Sequence, residues 1–234
     1  MFYQLLLLRI IGIYVVWNLK AGVNVDIKNI FFFGDSIFVG KGQSIFNGWI
    51  VKYAKYIERK NNKYFVINSS VNGRTSRQAL EDIFYACGDY NIDTFVIQFG
   101  LNDCNHWDSD HGLPRVSPAA FEANILEIVA KAKINGVKNI IVNNNHPTNV
   151  GVLKKFNISY DEWSSKYNGI LRDIEQQGKT SFYFNDIELK IDNYLKKNNL
   201  HKEQILLKDG LHLNNLGHDI YFDIQKEVLD RFIK

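Results

Sequence analysis

Cysteine, proline and methionine are scarce in this chain of 234 residues, with two, three and one of them. The two cysteines, Cys87 and Cys104, stand in neither a C-x-x-C nor a zinc spacing, so nothing points to a structural metal, and two reduced thiols fit a cytoplasmic chain. Two of the three prolines, Pro114 and Pro118, fall in one long loop. No Pro/Gly-rich linker, low-complexity tract or internal repeat divides the chain, and one domain is the simplest organisation. A strong charge of one sign is also lacking. The net charge is +3, the lysines are scattered, and "ERKNNK" and "KKNNLHK" read as solvated helix ends. No nucleic-acid signature accompanies them, so no nucleic-acid partner is expected.

A long hydrophobic run occurs only at the start. "MFYQLLLLRIIGIYVVW" is interrupted by Gln4 and Arg9 alone. It is short for a membrane span, and an arginine near its centre is costly there. It has no basic residues ahead of its apolar part and no A-x-A site after it, unlike a signal peptide. Residues 1–25 are therefore read as a packed or dispensable appendage before a domain at 26–234. Membrane contact through residues 2–17 is the alternative. The expected location is cytoplasmic, with anchored or exported as the other readings.

What is present is enough apolar sequence, 46%, for one sizeable core. From Asp26 onward, short apolar runs alternate with helical periods. Strands are predicted at 29–33, 64–68, 94–99, 139–143 and 181–184, apolar nearly throughout, as strands covered on both faces are. Ile50, Tyr53, Ala54 and Ile57 share one helical face. Phe121, Ile125, Ile128, Val129 and Ala132 share another, behind a Ser117-Pro118 start. Leu216, Ile220, Ile224 and Val228 mark a last helix, and Gly136 and Gly178 sit where helices stop. Strand–helix alternation of this kind predicts an α/β fold with a five-stranded parallel sheet between helices. Its right-handed crossovers gather the loops after the strands on one rim, where ligands of such sheets bind.

That rim collects the polar stretches. Gly34-Asp35-Ser36 follows the first strand, "NSSVNGRTS" the second, "GLNDC" the third and "NNNHPTN" the fourth. "DGLHLNNLGH" precedes the last helix. Each alone is explained as a turn. Together, and in this order, they supply a nucleophile, a base, an orienting acid and oxyanion donors. Ser36 offers a hydroxyl at a strand end. His212 is a base for neutral pH, with His218 as the fallback, and Asp209 lies three residues before His212, placed to fix its tautomer. The backbone N–H groups of Ser36 and Gly73 and the amide of Asn102 are the expected oxyanion hole.

These blocks resemble those of the SGNH, or GDSL, hydrolases: the serine of Gly-Asp-Ser (Ser36), a glycine (Gly73), the asparagine of G-x-N-D (Asn102) and the histidine of D-x-x-H (His212), with Asp209 as the acid. Ile37 replaces the usual leucine after the serine, and the block around Gly73 is looser than the family's form. The chain is also similar to members associated with bacterial surface-polysaccharide genes. The resemblance implies a flavodoxin-like three-layer α/β/α sandwich and ester hydrolysis through an acyl-enzyme, with no cofactor or metal.

Other motifs fail. "GKGQSIFNG" has Ile45 where a dinucleotide fingerprint needs its third glycine, no G-x-S-x-G occurs, and "DSDHG" lacks the glycine and closing glutamate of a calcium loop. The long loop from Asn105 to Val116 carries Trp107, to stack on a sugar or cover an acyl chain, and Arg115, to meet an anion; Asp35 and His146 complete the candidate substrate contacts. The expected activity is removal of short acyl groups, acetyl foremost, from a carbohydrate or small-molecule ester. The alternatives are a lysophospholipase or thioesterase for longer chains, an acyltransferase, and, least supported, a non-catalytic binding module. The polar 105–116 and 143–149 stretches favour a hydroxyl-rich substrate; Ile37, Phe38, Val39, Ile45 and Phe46 are the apolar counterweight.

Overall fold

The computed structural model describes residues 27–88 and 90–233. The N-terminal appendage, and with it the membrane-anchor reading, lies outside the described residues. In chain order the elements are β1 (Lys28–Phe33), α1 (Ser36–Val39), α2 (Trp49–Lys60), β2 (Tyr64–Asn68), α3 (Ser76–Cys87), β3 (Ile92–Gln98), α4 (Pro118–Ile134), β4 (Asn139–Asn143), a two-stranded ribbon of β5 (Val152–Leu153) and β6 (Ile158–Ser159), α5 (Tyr160–Gln176), β7 (Tyr183–Asn185), α6 (Ile187–Lys197) and α7 (Asn215–Leu229). Five strands form one parallel sheet in the order β2-β1-β3-β4-β7. That order places the switch point between β1 and β3, as in flavodoxin-like folds. Among the described residues, no helix is long and apolar enough to cross a membrane.

The phenylalanines of β1 show why the sheet is covered on both faces. Side chains alternate along a strand. Phe31 and Phe33 turn to one side and meet Phe95, with ring centroids 5.5 and 5.7 Å apart. Phe32 turns to the other and meets Trp49 of α2 edge-on at 5.2 Å, and Trp49 stacks on Tyr221 of α7 at 4.8 Å. Each such pair adds about 0.5–1.5 kcal/mol beyond area burial. The expectation of fully buried strands holds for the last four residues of β1 and most of β3 and β4, but not for β2 and β7. Those two are the sheet edges, and their residues are largely half-buried or exposed.

Helix boundaries follow the local chemistry. Ser117 Oγ accepts from Ala120 N ahead of Pro118, and Thr75 with Gln78 forms a capping box at α3. Gly136 and Gly178 adopt φ of 79° and 58° just past α4 and α5. The last helix is rotated from the expected stripe. Leu216 is exposed and Ile224 only half-buried, while Tyr221 and Gln225 are inside. The cause is polar: Asn143 Nδ2 of β4 donates to Tyr221 Oη at 3.0 Å and to Gln225 Oε1 at 2.8 Å, drawing both toward the sheet. Apolar periodicity does not register such a network.

Candidate active site

Ser36 opens α1, a single turn set directly on the end of β1. Asp35 caps it, its Oδ1 accepting from Ile37 N at 2.9 Å. Gly34 is required by packing, since a Cβ there would stand 2.8 Å from the Phe38 ring. Strand, glycine and cap thus hold Ser36 at the first position of a turn. Among the described residues its backbone N–H donates to no other group.

The Asp209–His212 turn reaches the same point from the other end of the chain. His212 Nε2 lies 3.0 Å from Ser36 Oγ, and His212 Nδ1 lies 2.6 Å from Asp209 Oδ2. With Nδ1–H donated to the carboxylate, Nε2 is left bare to accept the serine proton. Asp209 Oδ1 also accepts from Leu211 N and His212 N, both at 2.9 Å. Partial burial pushes the Asp209 carboxyl up, but the hydrogen bonds from His212 and Leu211 outweigh it and hold the pKa below the ordinary value. His218, the fallback base, is buried elsewhere, its Nδ1 accepting from Trp49 N at 3.4 Å; burial lowers its pKa to about 4.

The remaining blocks close the other side. Gly73 adopts φ +77°, which favours glycine, and nothing stands within 4 Å of where a Cβ would lie. Its N–H, like that of Ser36, donates to no group among the described residues. Asn102 Nδ2 faces Arg74 O at 3.1 Å and Asp35 Oδ2 at 3.3 Å. It stands at the site with both amide hydrogens engaged, so donation to a substrate oxygen would replace the longer contact. The structure therefore brings Ser36, Asp209 and His212 into one line, and places Gly73 and Asn102 on elements that meet beside it.

Two expected substrate contacts are corrected. Asp35 is fully buried, occupied as a helix cap and facing Asn102; burial, with the charge of Asp103 adding to it, raises its pKa to about 7. His146 is fully buried as well, its Nε2 donating to Leu211 O at 2.8 Å, and burial lowers its pKa to about 4. It braces the Asp209–His212 turn from the loop after β4. The whole 143–146 stretch is inside, not on a polar rim. Asn145 and Asn168, for example, exchange hydrogen bonds of 2.8 and 3.0 Å. Trp107 and Arg115 remain accessible, 46% exposed and half-buried respectively.

One supporting residue escaped the sequence reading. Asp103, fully buried, accepts from Ser76 N at 2.9 Å, from Ser76 Oγ at 2.5 Å and from Gly100 N at 3.2 Å. It ties the Gly73 block to the Asn102 block, and burial raises its pKa to about 6. Its place in G-x-N-D, beside the asparagine, was the available signal. Cys87 and Cys104 are free and buried. Among the described residues no cluster of metal-ligating side chains occurs.

Comparison with known proteins bears on the family and the fold. Residues 32–220 match the model of the GDSL-like lipase/acylhydrolase family. A curated relative, esterase TesA of Pseudomonas aeruginosa, is 28% identical over 118 residues, which make up 50% of this chain and 55% of that protein; the chain thus spans about half the length of this relative. The lipase/acylhydrolase from Enterococcus faecalis superposes with a TM-score of 0.69 at 19% identity, over 88% of this chain and 97% of that one. A catalytic mutant of Axe2, an acetylxylan esterase from Geobacillus stearothermophilus, gives 0.67 at 18% identity, over 85% and 92%. At such identities the structural likeness speaks for the fold.

Proposed function

Because the chain belongs to the GDSL-like lipase/acylhydrolase family, we propose that it is a serine esterase that removes short acyl groups, acetyl foremost, from a carbohydrate or similar hydroxyl-rich alcohol. The observation that carries the reading is the unbroken line from Ser36 Oγ through His212 to Asp209, at 3.0 and 2.6 Å.

In this reading Ser36 Oγ attacks the ester carbonyl as its proton passes to His212 Nε2. Asp209 stabilises the imidazolium that forms and keeps the ring in place. The N–H groups of Ser36 and Gly73 and the Asn102 amide receive the developing oxyanion, the charge that exists only near the transition state. His212 then returns the proton to the leaving alcohol. Water, deprotonated by the same nitrogen, opens the acyl-serine and frees the acid.

Short acyl chains are supported by where the apolar residues go. Ile37 and Phe38 are buried in the core, so neither is left to wall an acyl channel. A long chain would need apolar wall worth about 0.8 kcal/mol per buried methylene. Hydrolysis of p-nitrophenyl esters from acetyl to octanoyl, beside acetylated sugars, tests the reading; kcat/KM should fall steadily with chain length. One observation favours longer chains, as in a lysophospholipase or thioesterase: Val39 at the end of α1, and Ile45 and Phe46 on the segment after it, are exposed. An optimum at eight carbons or beyond would establish that second reading instead.

A further inference from the structure

Arg115, on the rim of the candidate site, forms no ion pair among the described residues. It stands at the stem of the Asn105–Val116 loop, where Arg115 N donates to Asn105 O at 2.9 Å and Val116 N to Asp103 O at 3.1 Å. Its guanidinium lies over the Trp107 ring, 3.8 Å from the centroid, and its Nη1 donates to Gly73 O at 3.1 Å. Gly73 is the residue whose N–H is the proposed oxyanion donor, so the charge is held beside the reacting ester.

The acids around it are otherwise committed. Asp103, whose field on Arg115 is the larger of two carboxylate fields, is engaged by Ser76 and Gly100. Asp108 pairs with Lys155. Asp110 accepts from Ser109 Oγ at 3.4 Å and acts on Arg115 only through its field. Among the described residues no carboxylate forms an ion pair with Arg115, whereas Arg74, the neighbouring arginine, pairs with Asp82 at 3.2 Å. A partly buried guanidinium is costly to leave unpaired, and only one of its five N–H donors is used in the contact with Gly73. The rest form a fork that matches a carboxylate or phosphate. Trp107 is 46% exposed, with the guanidinium over one face of its indole.

We propose that Arg115 and Trp107 form a subsite for an anionic sugar, so that the substrate is an acylated saccharide carrying a carboxylate or phosphate near the ester. The inference rests on the esterase reading for its substrate, and the juxtaposition of a guanidinium that forms no ion pair among the described residues with an exposed indole carries it. A residue that only braced Gly73 would need a single donor and no charge.

Binding can be measured apart from catalysis. Ligand-observed NMR titrations of the full chain would use methyl glucuronoside, methyl glucoside and glucose 6-phosphate. The wild type should bind at least one of the anionic sugars about tenfold or more tightly than the glucoside, with the preference shrinking as salt rises. Whichever of the two binds more tightly identifies the anion. Arg115→Gln should bring the preference to within about twofold of unity, and Arg115→Lys should retain part of it. Equal affinities in the wild type, or a preference that survives Arg115→Gln in a variant with an unchanged melting temperature, would overturn the inference. If Arg115→Gln fails to fold, the Arg115→Lys preference and its salt dependence decide in the same way. Hydrolysis of p-nitrophenyl acetate by the same wild-type preparation reports separately on the esterase reading; its absence defeats that reading whatever the sugars do.

Discussion

The Asp209–His212 turn and the Asn105–Val116 loop stand on the same rim and are built to different standards. In the turn, Asp209 accepts three hydrogen bonds, His212 O accepts from Leu207 N at 2.7 Å, Gly210 O from Asn149 N at 2.7 Å, and Leu211 O from His146 at 2.8 Å. In the loop, His106 is buried against Trp163, with no hydrogen-bond partner for either ring nitrogen among the described residues, Leu113 and Trp107 are exposed, and the Lys155–Asp108 ion pair lies on the surface. Exposed pairs of that kind add little. Proton transfer demands fixed distances, and the turn supplies them through its own carboxylate and through partners from Leu207 and from the 146–149 stretch. Recognition tolerates adjustment, and a loop whose backbone hydrogen bonds run mainly within itself, with Trp107 and Leu113 exposed, permits it.

The contrast breaks most severely at the serine. Ser36→Ala should lower kcat/KM on p-nitrophenyl acetate by about 10⁴-fold or more, and adding His212→Ala should change the residual rate little, because members of one catalytic unit are not additive. Should the second substitution multiply the loss by its own full factor, the tightly bonded turn is not serving the serine. Asn102→Ala is next. A donor that acts on the oxyanion should affect kcat, by about 10²–10³-fold, with KM nearly unchanged. A loss confined to KM would move Asn102 into the recognition half of the comparison.

How far the sequence could be read divides along the same line. Ser36, Asp209 and His212 were legible because each follows from spacing and order: a nucleophile at a strand end, and an acid three residues before a base. The five-stranded parallel sheet was legible because strand–helix alternation predicts one, while its flavodoxin-like arrangement came from the family resemblance. Asp35 and His146 were misread because a polar residue after a strand looks the same whether it faces solvent or turns inward as a cap or a brace. Burial of Asn143, Asn144 and Asn145 depends on partners such as Tyr221, Asp186 and Asn168, far away in the chain. Leu216 was misplaced for the same reason: the Asn143 network, not apolar periodicity, sets the rotation of α7.

The fixed half of the site also carries a titration signature. The Asp35 pKa is raised by burial to about 7, against an ordinary value of 3.8. The folded state then binds a proton that the unfolded chain has released between about pH 4 and 7, so this group destabilises the fold increasingly as pH rises through that window. Asp35→Asn keeps an acceptor for Ile37 N and removes the charge. The difference in melting temperature, variant minus wild type, should therefore grow in favour of the variant from pH 4 to 7. A difference that is flat with pH would mean that Asp35 titrates as an ordinary carboxyl, and that the base of Ser36 is less sealed than its burial implies.

The smallest effect belongs to the loop. Trp107 covers the Arg115 guanidinium on one side and is 46% exposed, so its removal opens no cavity in the core. Trp107→Ala should forfeit about 0.5–1 kcal/mol of cation–π attraction, a shift of about 1–4 °C in Tm for a chain of this size. On an acetylated sugar it should raise KM by about three- to tenfold, in keeping with an aromatic contact of about 0.5–1.5 kcal/mol, and the change in KM should exceed any change in kcat. The reverse pattern would be the more instructive outcome. A fall in kcat with KM unchanged would mean that Trp107, through Arg115 and the Gly73 carbonyl, helps set the position of the oxyanion donor. The loop would then belong to the catalytic half of the site, and the division between a rigid chemical side and an adjustable recognition side would have to be redrawn at Gly73.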